Sequence, residues 1–422
     1  MAYQVPFVDP RSHYRRLKPE IDGAIIDCLT HGDLILRHQL REFEARLATF
    51  VGVKYAVGVN SGYHALHFAV LAAGVGQGDE VITVAHTFVA SVSAIVHAGA
   101  TPMLVEVGSD YNMDPGAIEA AITPRTKAIM PVHLNGRLCD MDRIGRIAER
   151  RGLAIIEDAA QSLGATQHGR MAGSFGLAGC FSFYPFKILG GFGDGGAVTT
   201  DDPEVARFVT LMRFNGEDRD TGEYHCHGHT ALLDNVQAAV LDVKLRHLPD
   251  WIAHRQRIAA LYRRELTGVG DLVLPHFGED GRVDVFQNYV LRTSRRDALR
   301  EHLRASGVET LVHWPKPMWV HRGLHLADPG LPGTEAICRE VISLPMSAET
   351  TEEHAATTVE AIRQFFASER QRHAGVERIF YGALAVVLAE LAPSTNQGRT
   401  LVPLPPEASA RPYKVIYALA RK

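Results

Sequence analysis

From about residue 55, the chain alternates short apolar segments with longer segments of helical periodicity, and this alternation limits the fold more than any other feature. The predicted strands cover 55–59, 81–84, 103–107, 127–132 and 153–157, and the predicted helices cover 63–74, 89–98, 115–122 and 141–151. Apolar strands separated by helices form mainly parallel sheets that are covered on both faces. We therefore expect an α/β fold that binds its ligand beyond the carboxyl ends of the strands.

The pattern loosens after residue 200. Further predicted elements are helices over 204–213, 234–264 and 352–366, a polar loop over 214–230 and a strand near 285–291. In a chain of 422 residues, we expect a large domain over 1–250, including an N-terminal arm, and a smaller α+β domain over 251–369. Residues 370–422 change in character and are predicted to be an appended C-terminal segment without an assigned role.

Composition narrows the class of protein. With 46% hydrophobic and 22% charged residues the chain is typical of a soluble globular protein, and its net charge of -4 gives no reason to expect nucleic-acid or membrane-surface binding. No apolar run approaches the roughly 20 residues that span a bilayer, and the N-terminus does not resemble a signal peptide. The five cysteines lack CxxC spacing, which predicts reduced thiols in a cytoplasmic protein.

Lys187 lies in the most informative segment, residues 179–200. A predicted strand over 180–183 leads into Tyr184-Pro185-Phe186-Lys187, and a glycine-dense loop and a second strand follow. A lysine shielded by the neighbouring aromatic rings would have a lowered pKa and could attack a carbonyl group. Taken alone, however, a solvated loop lysine is the simpler interpretation.

Two other segments change that interpretation. Asp158 ends a predicted buried strand, where its carboxylate could pair with a protonated pyridine nitrogen or merely cap a following helix. Asn60-Ser61-Gly62 joins a strand to a helix, and backbone N–H groups there, with the Ser61 hydroxyl, suit a phosphate or make a plain N-cap. Together with Lys187, these segments describe a pyridoxal 5′-phosphate (PLP) site better than any one of them does.

The chain from about Val5 to Phe366 resembles the nucleotide-sugar aminotransferases, a DegT/StrS-type family of fold-type I PLP enzymes. The matching segments are VPFVDP, VGVNSGYHAL, GDEVITVAHTFVAS, ITPRTKAIMPVHLNG, IEDAAQSLGA, GSFGLAGCFSFYPFKILGGFGDGGAVTT, LDNVQAAVLDVKL and HWPKP. The resemblance implies a mainly parallel, seven-stranded sheet between helices, followed by a smaller α+β domain.

The resemblance also implies the roles of individual residues. Lys187 would carry PLP as a Schiff base and then shuttle the substrate proton, and Asp158 would pair with the pyridine nitrogen. Gln161 would lie near the ring hydroxyl, and Phe88 would stack on the ring, although an aromatic residue there is otherwise ordinary core packing. The expected phosphate ligands are Ser61, Gly62, Tyr63 and Ser182. No metal is expected.

Two segments depart from the family pattern. Tyr63 stands where family members commonly have threonine, so the phosphate site is expected to be reshaped. The loop that usually reads Gly-x-Asn-x-Arg reads Gly228-His229-Thr230-Ala231-Leu232. In this family the loop contacts the phosphate of the partner subunit, which implies a homodimer with shared active sites. Thr230 or His229 would then supply the contact between subunits.

The segment His225-Cys226-His227-Gly228-His229 contains residue types that bind zinc. No second ligand pair with the spacing of a zinc finger follows it. Because the segment precedes the helix predicted from residue 234 and lies beside the expected site, a substrate or phosphate loop is favoured over a metal site.

The predicted reaction is amino transfer from glutamate or glutamine to a keto sugar carried by a nucleotide, in a ping-pong scheme. One alternative is a PLP-dependent sugar dehydratase of the same family, but those enzymes commonly have histidine at the position of Lys187. The others are an acceptor that is a cyclitol or another natural-product ketone, and a regulatory member without turnover. The nucleotide, the sugar and the choice between C3 and C4 stay open.

Overall fold

The computed structural model describes residues 3–368. The helices are α1 (Pro10–His31), α2 (His38–Val51), α3 (Gly62–Ala72), α4 (Val89–His97), α5 (Pro115–Ala121), α6 (Met141–Arg151), α7 (Pro203–Met212), α8 (Asn235–Leu266), α9 (Arg296–Ala305), α10 (Pro332–Glu340) and α11 (352–368). The strands are β1 (Tyr55–Val59), β2 (Glu80–Val84), β3 (Thr101–Val105), β4 (Thr126–Ile129), β5 (Ala154–Asp158), β6 (Thr166–Gln167), β7 (Arg170–Met171), β8 (Ala178–Ser182), β9 (Gly196–Thr200), β10 (Glu217–Asp218), β11 (Glu223–Tyr224), β12 (Arg282–Val283), β13 (Tyr289–Arg292) and β14 (Val341–Leu344).

The central sheet has seven strands in the order β1-β9-β8-β5-β4-β2-β3. Strand β9 is antiparallel to both of its neighbours, and all other neighbouring strands are parallel. The predicted mainly parallel sheet is therefore confirmed. Because β1 and β8 are both antiparallel to β9, β1, β2, β3, β4, β5 and β8 all point the same way, and their carboxyl ends meet at one edge of the sheet.

Both faces of the sheet are buried. On β5, Ile155 packs into a hydrophobic cluster with residues of α2, α6 and α8, whereas Ile156 packs on the opposite face with residues of α3 and α7. On β8, Phe181 belongs to the same cluster as Ile155, and Cys180 belongs to the same cluster as Ile156. Successive side chains of a strand point to opposite faces, so two covered faces require apolar residues at every position. This explains why the strands read as continuous apolar runs.

A separate hydrophobic cluster surrounds the antiparallel pair β13 and β14. It includes Tyr262 from α8, Tyr289 from β13, Leu303 from α9, Ile342 from β14 and Phe365 from α11. The boundary expected at residue 250 stays a prediction, since α8 runs without interruption from Asn235 to Leu266. The appended segment predicted over 370–422 lies outside the described residues.

Several elements differ from the sequence prediction. The strand expected near 285–291 begins only at Tyr289, because the backbone of Phe286 has a φ of 50°, outside the range of an extended strand. The loop over 214–230 contains the short pair β10 and β11. Helices α1 and α2 were not predicted. Within residues 3–368, no helix has the length and apolar character that crossing a membrane requires.

Candidate active site

The predicted site residues gather at the carboxyl edge of the central sheet. Asn60-Ser61-Gly62 follows β1, Phe88 comes just after β2, Asp158 ends β5, and the segment from Ser182 to Lys187 leaves β8. The loops at this edge of an α/β sheet are the usual place for a ligand. The topology therefore places together groups that lie up to about 130 residues apart in the sequence.

Lys187 sits in a tight turn after β8. Its backbone N–H donates to the carbonyl oxygen of Tyr184 at 2.8 Å, and the rings of Tyr184 and Phe186 meet edge to face. The side chain of Lys187 is half-buried. Burial lowers the pKa of Lys187 to about 8, and the negative charge of Asp158 opposes this effect. The lowered pKa expected from the sequence is thus found, and the amine is available in its neutral, nucleophilic form near pH 8.

Asp158 is 5% exposed, and both of its carboxylate oxygens accept hydrogen bonds. The Ser91 hydroxyl donates to Oδ2 at 2.7 Å, and the Ala160 N–H donates to Oδ1 at 3.2 Å. Burial raises the pKa of Asp158, and these hydrogen bonds and the charge of Lys187 act against the rise. The alternative role as a helix cap is wrong, because residues 159–165 form turns and no helix begins there.

Gln161 is also buried, and its amide has a fixed orientation. Its Oε1 accepts the backbone N–H of Asn135 at 2.8 Å. Asn135 itself has a φ of 59°, in the left-handed region that asparagine tolerates better than most residues. With Oε1 used as the acceptor, the NH₂ group of Gln161 is left to donate, which is the orientation that a ring hydroxylate needs.

Ser61, Gly62 and Ser182 form a close-packed cradle. A Cβ atom on Gly62 would lie 2.6 Å from Cβ of Ser182, and one on Gly196 would lie 2.4 Å from the carbonyl carbon of Ser61. Ser61 is the N-cap of α3 and accepts the N–H of His64. The N–H groups of the first helical turn have no partner inside the helix, so Gly62 and Tyr63 present donors suited to a phosphate.

The side chain of Tyr63 points elsewhere. Its hydroxyl lies 2.6 Å from Nδ1 of His97, and its ring stacks parallel to His67 with centroids 5.9 Å apart. The hydroxyl of Tyr63 is therefore paired with a residue of α4, and the backbone N–H of Tyr63 remains available to the cradle. Phe88 is 60% exposed at the start of α4, where its ring is free to cover a cofactor.

Thr230 is exposed on the loop before α8, and its hydroxyl donates to Oδ1 of Asn215 at 3.0 Å. The neighbouring His229 packs its ring against His64, His67 and Phe68, with centroids 5.4 to 5.7 Å apart. Within residues 3–368, no group of three or more His, Cys, Asp or Glu side chains is arranged to hold a metal ion. The five cysteines are unpaired.

Sequence reasoning missed three residues of the site, one of which is His313. Burial and the positive charge of Lys187 lower the pKa of His313 to about 4, so this ring lies within electrostatic reach of the lysine. Its Nδ1 is 2.8 Å from the Ser343 hydroxyl. The segment HWPKP, which contains His313, was among those that match the family and could have indicated it. The other two residues are Ser91, which bonds to Asp158, and Gln287.

A buried network supports the end of β5. Glu157 is fully buried and accepts N–H groups of Gly173, Phe175 and Gly176 at 2.6 to 2.8 Å. It also lies 3.0 Å from Nε2 of His133. The Nδ1 atom of His133 accepts the Cys139 N–H, so Nε2 carries the proton and donates to Glu157. This network fixes the backbone on which Asp158 is carried.

A cavity of about 370 Å³ opens beside Lys187. Two cationic side chains from α8 line it, Lys244 and Arg255, and both are at least 95% buried. Burial lowers the pKa of Lys244 to about 8 and that of Arg255 to about 10. Both donate hydrogen bonds to backbone carbonyl groups: Lys244 to that of Gly190 at 2.6 Å, and Arg255 to that of Met346 at 3.0 Å. Aromatic residues also line the cavity: Phe186, Phe192 and Trp251.

Comparison with known proteins identifies the family to which this chain belongs. The DegT/DnrJ/EryC1/StrS aminotransferase family matches residues 15–363. A pleiotropic regulatory protein of Geobacillus stearothermophilus is 41% identical over 367 residues, which cover 86% of this chain and 98% of that protein. A dTDP-3-amino-3,4,6-trideoxy-α-D-glucose transaminase of Streptomyces venezuelae is 42% identical over 366 residues, which cover 86% of this chain and 96% of that enzyme.

Solved structures lead to the same family. The crystal structure of DesV from S. venezuelae, in complex with a ketimine intermediate, is 42% identical and superimposes with a TM-score of 0.83 over 87% of this chain and 99% of DesV. Enzymes of this family depend on PLP, and the related crystal structure of ntda from Bacillus subtilis, at 28% identity, contains its amino form, pyridoxamine phosphate. The chain belongs to the DegT/DnrJ/EryC1/StrS family of PLP-dependent aminotransferases.

Proposed function

We propose that this protein transfers an amino group to a keto sugar carried by a nucleotide, with Lys187 as the residue that holds PLP and moves the substrate proton. The observation that carries the proposal is the joint placement of Lys187, Asp158 and the cradle of Ser61, Gly62 and Ser182 at one sheet edge. The substrate class is supported by relatives named as dTDP-sugar and UDP-sugar aminotransferases.

The residues fit the cofactor. PLP when bound supplies an electron sink for negative charge on the substrate carbon next to nitrogen. A buried anion such as Asp158 keeps a pyridine nitrogen protonated. The segments of the cradle approach one another this closely because positions 62 and 196 are glycine, since a Cβ atom there would collide with Ser182 or Ser61. Gln161 orients a donor to the ring hydroxyl, and Phe88 covers the ring.

Lys187 performs the proton transfers in this proposal. A general base works best when its pKa lies near the working pH, and the pKa of about 8 for Lys187 meets this condition. Its neutral amine would take the proton from the carbon of the amino donor and deliver it to the cofactor carbon that receives the amino group. In the second half of the reaction the same amine would move a proton from that cofactor carbon to the carbon of the acceptor. The carboxylate of Asp158 lies within electrostatic reach of this amine, and its charge favours the protonated lysine while the proton is being transferred.

The donor we propose is glutamate or glutamine, and the acceptor is the nucleotide-linked sugar. The cavity beside Lys187 supports such an acceptor, since its volume is within the range of roughly 300–1,000 Å³ that is usual for small-molecule sites. Lys244 and Arg255 are cations suited to phosphate oxygens, and Trp251 offers an aromatic surface. The carboxylates of Asp9 and Glu349 line the same cavity, but Asp9 accepts the Ser12 N–H and Glu349 pairs with Arg16.

A regulatory role without turnover is the competing proposal. It is favoured by two relatives whose names describe regulation or sensory transduction, at 41% and 44% identity. The lowered pKa of Lys187 and the hydrogen-bonded Asp158 support catalysis instead, because shifted pKa values beside a charged partner cluster at catalytic sites. A dehydratase is disfavoured by the presence of lysine at position 187.

We further propose a cytoplasmic homodimer in which Thr230 contacts the phosphate bound by the partner subunit. The exposure of Thr230 on the loop before α8 supports this assignment. Mixing the Lys187→Ala and Thr230→Ala variants tests shared sites, because mixed dimers would contain one site in which both residues are intact. Recovery of activity on mixing supports sharing, and no recovery with confirmed subunit exchange contradicts it.

The test of the function is a two-stage assay with the purified protein. Glutamate or glutamine is added first, and conversion of bound PLP to pyridoxamine phosphate is followed by absorbance. A panel of dTDP- and UDP-linked keto sugars follows, with detection of the amino sugar by mass spectrometry. Conversion in both stages supports the proposal. Conversion of the cofactor without any amino sugar would reject the nucleotide-sugar acceptor, and no conversion with any amino donor would reject amino transfer.

A further inference from the structure

Gln287 bonds to the backbone on both sides of Lys187. Its Nε2 donates to the carbonyl oxygen of Phe186 at 2.9 Å, and its Oε1 accepts the N–H of Ile188 at 2.6 Å. Gln287 is 7% exposed and lies about 100 residues away in the sequence, in the segment that leads into β13. The side-chain amide of Gln287 thus donates to the residue before Lys187 and accepts from the residue after it.

This pairing fixes the backbone of Lys187. The bonded carbonyl precedes the φ torsion of Lys187 and the bonded N–H follows its ψ torsion, so the two bonds constrain both torsions as a neighbouring strand would. The turn around Lys187 is also closed by two backbone bonds, from the Lys187 N–H to the Tyr184 carbonyl and from the Gly191 N–H to the Phe183 carbonyl, both at 2.8 Å. The adjacent glycine loop is held farther along, where Lys244 donates to the Gly190 carbonyl and the Phe192 N–H donates to Gln237.

Gln287 is itself held in place. The Arg255 Nη1 donates to the carbonyl oxygens of Phe286, Gln287 and Met346 at 3.0 to 3.3 Å. The segment that bears Gln287 is therefore fixed to α8 before it meets the lysine turn. A fixed amide can hold Lys187, whereas a mobile one would only follow it.

We propose that Gln287 is a positioning residue for Lys187: it sets the direction in which the lysine amine leaves the backbone. The inference rests on the proposed role of Lys187 in carrying the cofactor. A displacement of about 1 Å at a reacting group can reduce the rate by about 100-fold. Gln287 makes no contact with the reacting atoms in this proposal, and it acts through the backbone of the turn.

The variant Gln287→Met tests the two hydrogen bonds, since methionine keeps the length and volume of the side chain and removes both polar groups. Gln287→Glu keeps an acceptor for the Ile188 N–H and loses the donor to Phe186. The matched control is Gln256→Met, because Gln256 donates one hydrogen bond at 2.9 Å to the Asp284 carbonyl in the same segment and does not touch the lysine turn.

Amide hydrogen exchange at Ile188 is the direct measurement, and it needs neither substrate nor cofactor. We expect exchange at Ile188 to become about tenfold faster or more in Gln287→Met and to stay near the wild-type rate in Gln287→Glu and in the control. The holoenzyme of Gln287→Met should lose about 10- to 100-fold in kcat with a much smaller change in KM. The midpoint of thermal unfolding should also fall, and further than in the control, because Gln287→Met removes two hydrogen bonds and Gln256→Met removes one. The exchange rate and kcat therefore carry the test.

Equal exchange at Ile188 in all three variants and the wild type would overturn the proposal. So would a Gln287→Met enzyme whose kcat falls no more than that of the control while its stability drops, because that result describes a purely structural residue. If Gln287→Met does not fold, Gln287→Glu provides the test. This variant should keep the Ile188 amide protected from hydrogen exchange and should still lose activity. A failure of amino transfer in the wild-type protein would leave the exchange result readable, so the two failures are distinguishable.

Discussion

The hydroxyl of Ser91 donates a 2.7 Å hydrogen bond to Oδ2 of Asp158, inside the protein and away from solvent. The Oγ1 atom of Thr87 lies 2.8 Å from the Ser91 hydroxyl. Because the only proton of Ser91 goes to the carboxylate, Thr87 donates to Ser91, and the chain of hydrogen bonds runs towards Asp158. The same helix start carries Phe88, so one turn supports both the carboxylate and the ring expected to cover the cofactor.

Replacing Ser91 with alanine should weaken cofactor binding. The Ser91 hydrogen bond lowers the pKa of Asp158 against the effect of burial, so its loss raises that pKa and makes the anion less favourable. A hydrogen bond to a charged group contributes about 1.5–3 kcal/mol. We expect the Kd for PLP to rise about tenfold or more in a titration of the apoprotein.

Ser162→Ala is the control for Ser91, because Ser162 is equally buried and donates a bond of the same 2.7 Å length to the His133 carbonyl. Its loss should lower the stability and leave the Kd for PLP within about threefold of the wild-type value. A Ser91→Ala protein that binds PLP as tightly as the wild type would show that Asp158 does not depend on Ser91.

Replacing Asp158 with asparagine should lower the pKa of Lys187 below its value of about 8. The charge of Asp158 favours the protonated lysine, and only burial opposes it, so removing the charge leaves burial acting alone. The rate at which an amine reagent labels Lys187 in the apoprotein, measured against pH by mass spectrometry, gives this pKa. The exposed Asp142 gives a control, Asp142→Asn, with no expected shift. An upward shift in Asp158→Asn would contradict the electrostatic coupling.

Replacing Gly62 with alanine should open the phosphate cradle. The added Cβ would lie 2.6 Å from Cβ of Ser182, closer than atoms of this kind approach, so α3 and the end of β8 must separate. We expect a loss of PLP affinity of about tenfold or more, as expected for a displaced set of phosphate donors. Gly145→Ala, in α6, meets no atom within 4 Å and should raise helix stability by about 0.5–1 kcal/mol. Unchanged PLP affinity in Gly62→Ala would place the phosphate elsewhere.

Replacing Glu157 with glutamine should destabilise the protein. The Glu157 carboxylate accepts hydrogen bonds from three backbone N–H groups and from Nε2 of His133. In glutamine an NH₂ group replaces one oxygen, and this donor would face other donors with which it cannot form hydrogen bonds. Breaking such a buried network costs about 2–4 kcal/mol. Denaturant unfolding should show this loss, whereas the exposed Glu301→Gln should stay within about 0.5 kcal/mol of wild type. A small loss in Glu157→Gln would mean that the loop over 173–176 is held by other contacts.

The sequence predicted the parts of the fold that depend on local periodicity. The order of strands and helices from Tyr55 to Asp158 repeats in a regular way, and apolar strands can only belong to a sheet covered on both faces. Placing Lys187, Asp158 and Ser61 at one edge then follows from the direction of parallel strands. For α1 the signal was weaker, because only Leu17, Ile21 and Cys28 are buried over 22 residues.

The side-chain network could not be predicted in this way. Ser91 and Asp158 lie 67 residues apart, and Gln287 and Ile188 lie 99 residues apart. Such pairs depend on how packed elements meet, which local periodicity does not encode. The orientation of Tyr63 is a similar case: the sequence indicates a substitution in the phosphate site, and only the structure shows the hydroxyl at His97.

The residue to which the cofactor is attached can be identified directly. The purified protein is reconstituted with PLP, reduced with borohydride, digested and analysed by mass spectrometry. We expect a single phosphopyridoxyl group on Lys187 and none in the Lys187→Ala variant, which should still fold. A reduced adduct on another lysine such as Lys244, or no adduct in a protein shown to bind PLP, would show that Lys187 does not carry the cofactor.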